Sequence, residues 1–253
     1  MKLTFLGTGT SQGVPVIACQ CPVCQSTNPK DKRLRTAALI EHENSTILID
    51  AGPDFRQQML TAKVQTLDSI LITHEHRDHI AGLDDVRAFN FILKRPMDIW
   101  AEARVQDAIK TDYAYVFADQ KYPGSPEMVL HNIDGLPFNL NGIQVIPIRA
   151  YHYKLPVYGF RIANLTYLTD ANFIPEEEKE KMVGSQYLVI NALRVQKHIS
   201  HFSLPEALKL ISELSPRKAF ITHISHQMGL NDDVEKDLPE NVCLAYDGLV
   251  VEL

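Results

Sequence analysis

The sequence lacks any apolar run that approaches the ~20 residues of a membrane-spanning helix. Its opening apolar stretch, Leu3 to Leu6, is too short for the core of a secretory signal, and no cleavage site follows it. We therefore expect a cytoplasmic protein that does not enter a membrane.

Basic residues are not in excess either. The formal net charge is -6 over 253 residues, whereas general binding to nucleic acid needs a basic surface. Nucleic acid is therefore not the expected partner, but a small anionic substrate in a local pocket is not excluded. A homodimer is compatible with the sequence, although no pattern requires one.

Cysteine is scarce and unevenly placed. Three of the four cysteines lie in Cys19-Gln-Cys21-Pro-Val-Cys24. Disulfides between such close neighbours are strained, and the cytoplasm is reducing. The segment 19–24 therefore indicates a structural zinc site. Such a site has four ligands, and the candidates for the fourth are Cys243, His42 and His226.

No low-complexity linker divides the chain, and we expect a single domain over residues 1–253. Periodicity and turn residues predict short strands at 3–6, 37–40, 46–49, 69–73, 99–101, 138–140, 143–148, 159–162, 166–169, 187–190, 218–222, 242–245 and 249–253. They predict helices at 53–62, 80–94, 105–117, 175–183 and 204–214.

Local signals support several of these boundaries. Pro53 is typical of a first helical turn, and Ser203 followed by Glu206 predicts a capping box. Asn141-Gly142 predicts a tight hairpin, and a second turn is expected over residues 43–45.

A faint internal echo links the two halves of the chain. Ile47-Leu-Ile-Asp50 resembles Tyr167-Leu-Thr-Asp170, and Ile72-Thr-His74 resembles Ile221-Thr-His223. Such matches arise easily by chance. They fit two β-rich halves whose strand ends meet at one site, with two sheets face to face and helices outside.

The most informative segment is Thr73-His-Glu-His-Arg-Asp-His79, which follows a predicted buried strand. Imidazole and carboxylate ligands suit zinc, manganese or iron. Four ligands this close in sequence would be strained around one ion, so we divide them, with His74 and His76 on one ion and Asp78 and His79 on another. Further ligands must come from other strand ends, where the candidates are His152, Asp170 and His223.

The pattern His-x-His-x-Asp-His after a strand resembles the hallmark of the metallo-β-lactamase superfamily, and Asp50, His152, Asp170 and His223 follow in that family's order. The resemblance covers nearly the whole chain. It implies a mixed α/β (α+β) fold, a four-layer αββα sandwich.

The same resemblance implies a binuclear hydrolase with two zinc or manganese ions. His74, His76 and His152 would bind one ion, and Asp78, His79 and His223 would bind the other. Asp170 would bridge them, and Asp50 would orient a ligand histidine. Two ions about 3.5–4 Å apart share and activate a water as hydroxide. Phosphodiesters, thioesters and lactams all suit such a site.

Three motifs resemble one branch of this family: Gly7-Thr-Gly-Thr-Ser-Gln-Gly-Val-Pro15, the cysteine cluster, and Thr222-His-Ile-Ser-His-Gln227. The branch contains the phosphodiesterase of phosphonate degradation that opens 5-phospho-α-D-ribosyl 1,2-cyclic phosphate. This resemblance selects His226 as the fourth zinc ligand and implies that His201 is the general acid, with Asp78 also catalytic. We expect hydrolysis of a small phosphodiester, cyclic or nucleotide-like.

The leading alternative is a non-catalytic or accessory metal-binding protein, because the N-terminus is also similar to the coenzyme PQQ biosynthesis B protein. The tRNA 3′-processing endonuclease shares the glycine-rich opening but has an extra arm, and no comparable basic insertion is found here. Thioester hydrolysis of the glyoxalase II kind is disfavoured because no additional helical domain is found.

Phosphate binders are less well defined by the sequence. The backbone of Gly9 to Gly13 could bind an oxyanion, and an ordinary turn explains it equally well. Lys154 and Arg194 are candidates only because they lie near His152 and His201 in sequence, and solvated surface charge is the default for both.

Overall fold

Two seven-stranded sheets form the centre of the computed structural model, which describes residues 1–42 and 44–253. Of the turn predicted at 43–45, Glu43 lies outside the described residues. The strands are β1 (Lys2–Gly7), β2 (Ala37–His42), β3 (Ser45–Ile49), β4 (Ser69–Leu71), β5 (Met97–Ala101), β6 (Met128–Asn132), β7 (Phe138–Leu140), β8 (Ile143–His152), β9 (Leu155–Ile162), β10 (Leu165–Leu168), β11 (Tyr187–Asn191), β12 (Lys218–Thr222), β13 (Val242–Leu244) and β14 (Val250–Glu252).

The α-helices lie between these strands. They are α1 (Pro22–Gln25), α2 (Phe55–Ala62), α3 (Arg77–Ile80), α4 (Arg87–Leu93), α5 (Ala103–Asp112), α6 (Ala114–Phe117), α7 (Glu176–Lys179), α8 (Leu204–Leu214) and α9 (Asn231–Val234). Within the residues described, no helix is long and apolar enough to cross a membrane.

The strand order is β14-β1-β2-β3-β4-β5-β6 in one sheet and β13-β12-β11-β10-β9-β8-β7 in the other. In each sheet four successive strands are parallel, β3 to β6 and β10 to β13. The central strands β4 and β11 are buried along their whole length, as expected for parallel strands covered on both faces. The carboxyl ends of these strands carry the site.

Apolar side chains fill the space between the two sheets and beneath the helices on each outer face. Between the sheets, the ring centroids of Phe5 and Phe220 lie 5.5 Å apart. A second core joins the first sheet to residues such as Phe55 of α2 and Ile109 of α5. A third joins the other sheet to α8 through Leu210 and its neighbours. The predicted four-layer αββα sandwich is confirmed.

Several local predictions are confirmed. Asn141 and Gly142 both have positive φ, 50° and 93°, in the tight turn between β7 and β8. The amide of Ser203 donates to Glu206 Oε2 at 2.9 Å, and the capping box of α8 is present.

The prediction of one continuous helix over 80–94 is wrong. The chain instead forms α3, a 3₁₀ turn over Leu83–Val86, and α4. The break occurs because Gly82 packs against another segment. Its amide donates to Ala51 O at 2.8 Å, and a Cβ at this position would lie 2.1 Å from Gly52 O.

Other boundaries also need correction. The helix predicted at 105–117 is split at Tyr113, whose hydroxyl donates to Ile80 O at 2.8 Å. Pro53 precedes α2 instead of lying in it, and only 176–179 of the helix predicted at 175–183 is α-helical. The strands predicted at 143–148 and 159–162 extend to His152 and back to Leu155, which makes one long hairpin. Strand β6 and the short helices α1 and α9 were not predicted.

Candidate metal centre

The polar residues at the strand ends adopt an unusual backbone conformation. Asp50, Asp170 and His223 follow β3, β10 and β12, with φ of 65°, 51° and 55°. Left-handed backbone costs about 1–3 kcal/mol for a non-glycine residue and often occurs at functional sites. All three residues are almost fully buried; Asp170 and His223 lie in one set of donors, and Asp50 contacts His79 of that set.

One set of donors is formed by Asp78, His79, Asp170 and His223, whose ligand atoms all lie within 4.8 Å of one another. His79 Nε2 lies 3.2 Å from Asp78 Oδ2 and 3.5 Å from Asp170 Oδ1. His223 Nδ1 lies 2.9 Å from the same Asp170 Oδ1.

A second set faces the other oxygen of the same carboxylate. It contains His74, His76 and Asp170. His74 Nε2 lies 3.0 Å from His76 Nδ1 and 3.8 Å from Asp170 Oδ2. Asp170 therefore presents Oδ1 to one set of donors and Oδ2 to the other.

His152, the last residue of β8, lies beside the second set and forms a third set with Asp170 and His201, whose ligand atoms lie within 4.8 Å of one another. Its ring centroid is 5.1 Å from that of His76 and 4.4 Å from that of His201. Its Nδ1 donates to Ser200 O at 2.7 Å, so Nε2 is the nitrogen left to bind a ligand. The structure thus brings all seven predicted catalytic-site donors, and His201, into one cluster.

Asp50 does not belong to either donor set but contacts both through its neighbours. Its Oδ2 accepts from His79 Nδ1 at 2.7 Å. Its Oδ1 accepts from the amide of Thr73 at 2.9 Å, and the Thr73 hydroxyl lies 2.9 Å from His74 Nδ1. Sequence reasoning missed Thr73, whose only signal was its position between a strand and the histidine motif.

The electrostatics of the cluster favour a bound cation. Burial acts to lower the pKa of His79, but the carboxylates of Asp50, Asp78 and Asp170 outweigh it and raise that pKa well above its usual value. Burial acts to raise the pKa of Asp170, but His223 and His79 hold it well below its usual range.

A buried nitrogen without a well-directed hydrogen bond lies at the same place. His79 Nε2 makes no hydrogen bond of acceptable geometry among the described residues, although carboxylate oxygens of Asp78 and Asp170 lie 3.2 and 3.5 Å from it, and burying a polar atom unpaired is costly. Two carboxylates beside this nitrogen fit a divalent cation, and the mixture of imidazole and carboxylate donors suits zinc or manganese.

The cysteine segment forms a separate cluster. The thiol sulfurs of Cys19, Cys21 and Cys24 lie 3.3, 3.3 and 3.5 Å from His226 Nδ1. Ligands at 2.3 Å for sulfur and 2.0 Å for nitrogen, arranged tetrahedrally, give an N···S separation of about 3.5 Å. The observed distances therefore match those expected between ligands of a tetrahedral zinc ion.

The other two candidates for the fourth ligand lie elsewhere. Cys243 is in β13, where its thiol contacts Ala219 O at 3.9 Å and its side chain packs against the core between the sheets. His42 ends β2, paired with Ser45 of β3. Of the three candidates, the structure brings only His226 to the cysteines within the described residues.

The glycine-rich loop is held by backbone hydrogen bonds. The amides of Gly9, Thr10 and Gly13 donate to the carbonyls of Leu34, Ile224 and Thr10. A Cβ at Gly7 would lie 1.9 Å from Arg35 O, so glycine is required there. Of the two alternatives for this loop, an ordinary turn and an oxyanion site, the use of these three amides within the fold favours the turn.

The two candidate phosphate binders differ in their surroundings. Arg194 donates to Gln227 Oε1 at 2.7 Å and to the carbonyls of Gln196 and Lys197. Its guanidinium therefore stabilises the loop in which Arg194 itself lies. Lys154 lines an open depression beside His76 and His152.

Comparison with known proteins identifies the family. The model of the beta-lactamase superfamily domain matches residues 45–224. The chain belongs to the beta-lactamase superfamily. Proteins of this superfamily fold generally bind divalent metal ions, in agreement with the donor sets described above.

Within the superfamily, the chain is 34% identical to a crystal structure described as a new diphosphatase from the PhnP family. The TM-score is 0.93, and the match covers 100% of this chain and 97% of that one. The similarity therefore extends through both sheets and the cysteine segment.

Two curated relatives carry other names. An octanoyltransferase of Porphyromonas gingivalis is 39% identical over 252 residues, which cover 98% of this chain and 51% of the relative. A ribonuclease Z of Limosilactobacillus reuteri is 30% identical over 171 residues, which cover 64% of this chain and 48% of the relative. The chain thus spans about half the length of these relatives, whose names describe longer proteins.

Proposed function

We propose that the chain is a metal-dependent phosphodiesterase that hydrolyses a small phosphodiester. The observation that carries this proposal is the position of Asp170, whose two oxygens face two separate sets of donors. A carboxylate shared in this way is the arrangement needed to hold two ions side by side. The similar diphosphatase and ribonuclease Z are both named for reactions at phosphorus, which supports a phosphoryl substrate.

The proposed ligands divide into two groups that share Asp170. One ion would be held by His74, His76 and His152, and the other by Asp78, His79 and His223. When bound, such ions supply Lewis acidity, which lowers the pKa of water and offsets the negative charge of a phosphodiester. We propose that these ions are zinc or manganese.

The protein's own residues provide orientation and proton transfer. Asp50 fixes His79 by one hydrogen bond and His74 through Thr73. Ser200 O fixes the tautomer of His152. His201 lies between His152 and His223, with centroid distances of 4.4 and 4.9 Å, and its buried Nδ1 has no partner among the described residues. We assign His201 to donate a proton to the leaving alkoxide.

The test of this function is hydrolysis of bis-p-nitrophenyl phosphate by metal-free protein to which manganese or zinc is added back. We expect turnover that appears with the metal and disappears with a chelator. Metal binding without turnover on this substrate and on cyclic ribose phosphates would favour the accessory role instead.

A prediction concerns Asp50. Replacing it with alanine removes the acceptor that orients His79 and Thr73, so we expect metal affinity or activity to fall by about 10–100-fold. Asp50→Asn keeps the shape and loses the charge, so its metal affinity and turnover should lie between those of the unmodified protein and those of Asp50→Ala. The measurement is metal dissociation by competition with a chromophoric chelator, together with turnover. Unchanged affinity and unchanged turnover in Asp50→Ala would contradict the positioning role.

We also propose that Cys19, Cys21, Cys24 and His226 hold a structural zinc. Thiolates near one another need a cation, and two backbone amides already donate to sulfur, Val16 to Cys24 and Cys24 to Cys21, each at 3.4 Å. His226 follows His223 by three residues, so zinc at this site would also anchor the turn that carries His223.

Removal of this zinc is therefore expected to destabilise the protein. Cys24→Ala should lose one zinc per chain and lower the melting temperature by at least about 4–8 °C, the shift that a loss of about 2 kcal/mol gives in a domain of this size. Calorimetry and metal analysis measure both effects. Cys243→Ala is the matched control, because it removes a thiol outside the cluster and should retain the zinc. Full zinc content in Cys24→Ala would refute the site.

A further inference from the structure

An open depression of about 610 Å³ lies directly beside the metal centre. It is lined by His76 and His152 of the metal centre, and the rest of its wall includes Tyr153, Lys154 and Ile199. The size falls in the range of small-molecule sites, roughly 300–1,000 Å³. Its position makes it accessible to a substrate whose phosphorus lies at the metal centre.

Two large apolar side chains on this wall are exposed. Tyr153 is 53% exposed and Ile199 is 67% exposed. Single exposed apolar residues are common, but these two line one depression next to charged and polar groups. An apolar surface with a few polar groups beside it is the usual character of a ligand site.

The wall is held in place by its own hydrogen bonds. Tyr153 begins the two-residue turn between β8 and β9 with a positive φ of 59°. Its amide donates to Asn172 Oδ1 at 2.7 Å, and Asn172 Nδ2 donates to Ile199 O at 3.1 Å. Asn172 thus ties the turn to the segment that carries Ile199, so binding a ligand there orders little additional chain.

The charge on this wall is positive. Lys154 Nζ lies 5.4 Å from the centroid of the Tyr153 ring. A ring, an aliphatic side chain and an ammonium group together match a ligand that has a flat aromatic part and a negative charge. A nucleoside attached to phosphate has both.

We propose that this depression binds the nucleobase of a nucleoside phosphodiester substrate, with Tyr153 and Ile199 against the base and Lys154 near the phosphate. The assignment rests on the proposed phosphodiesterase function and narrows its substrate class. Tyr153, Lys154 and Ile199 are then the residues that determine specificity, and they leave the metal ligands untouched.

The test compares two ligands that differ only in the base. Adenosine 5′-monophosphate and ribose 5-phosphate are titrated by calorimetry into the manganese-loaded protein. We expect the nucleotide to bind about 10-fold more tightly, since stacking of a base on an aromatic side chain is of that order. Tyr153→Ala should remove this difference and leave the affinity for ribose 5-phosphate unchanged. Ile199→Ala should remove part of it.

Tyr122→Ala is the matched control, because Tyr122 is 83% exposed and does not line the depression. It should keep the full difference. Equal affinities for the two ligands in the unmodified protein, equal weakening of both by Tyr153→Ala, or no measurable nucleotide binding would each overturn the proposal. Failure of the phosphodiesterase function is distinguished by absent turnover of bis-p-nitrophenyl phosphate, which these binding measurements do not require.

Discussion

Replacing Asp170 with asparagine is expected to lower kcat/KM for phosphodiester hydrolysis by about 10³-fold or more. The carboxylate is 2% exposed, and its oxygens lie 2.9 Å from His223 Nδ1, 3.5 Å from His79 Nε2 and 3.8 Å from His74 Nε2. Asparagine has one oxygen and no charge, so it cannot serve both donor sets. We expect loss of at least one of the two proposed metal ions as well as loss of turnover.

The two effects are measured by metal analysis and by hydrolysis of bis-p-nitrophenyl phosphate at saturating metal. Asp247→Asn is the matched control, because Asp247 is a partly buried carboxylate that accepts from Leu34 N and Thr8 Oγ1 outside the metal centre. The control should retain metal and turnover even where its stability falls. An Asp170→Asn protein with full metal content and full kcat/KM would exclude the shared-carboxylate arrangement.

Asp170 belongs to the part of the site that can be predicted from the sequence. The motif from His74 to His79 is local, and its ligand chemistry is visible in six consecutive residues. Asp50, Asp170 and His223 are visible because each follows an apolar strand, and strands that run in parallel end at the same edge of a sheet. These features depend on short-range patterns, and the structure places the corresponding side chains together.

Features that depend on distant packing could not be predicted. Ser200 O orients His152 from 48 residues away, and Asn172 joins two loops through its side chain. The break at Gly82 arises from a close approach to Gly52. The helical periodicity of the sequence does not indicate this contact. Strand β6 has an irregular exposure pattern at a sheet edge, so its sequence gives a weak alternation signal.

Contacts that form only in the tertiary fold also connect the histidine motif to other elements. Glu75, between His74 and His76, pairs with Arg104 of α5. Arg104 also donates to Pro156 O at 2.7 Å in β9 of the second sheet. The motif of the first sheet is thereby tied to the hairpin that carries His152, which explains how ligands from both sheets keep a fixed separation.

His201→Ala is expected to lower kcat by about 10²–10⁴-fold while metal content stays unchanged. Burial lowers the pKa of His201 to about 3, although the nearby Asp170 carboxylate acts to raise it. To act as a general acid near pH 7, the ring must therefore gain a proton when the substrate binds. A phosphodiester anion beside it favours the protonated ring and raises the pKa, so the ring takes up a proton from solvent with the substrate and passes that proton to the leaving alkoxide.

The leaving group gives this prediction its sharpest test. p-Nitrophenolate leaves readily without a proton, whereas an alkoxide does not, so the loss of kcat should be larger for an alkyl phosphodiester than for bis-p-nitrophenyl phosphate. A general acid must be protonated, so activity on the alkyl substrate should fall as pH rises through the His201 pKa in the complex. The variant should lack that descending limb.

His198→Ala is the matched control for this residue. His198 lies in the same loop with its ring 5.2 Å from that of His201, but it is not grouped with the donors of the metal centre. It should keep turnover and the descending limb of the pH profile. Equal losses in the two variants would indicate that the loop only supports the site, and equal losses on both substrates in His201→Ala would exclude proton donation to the leaving group.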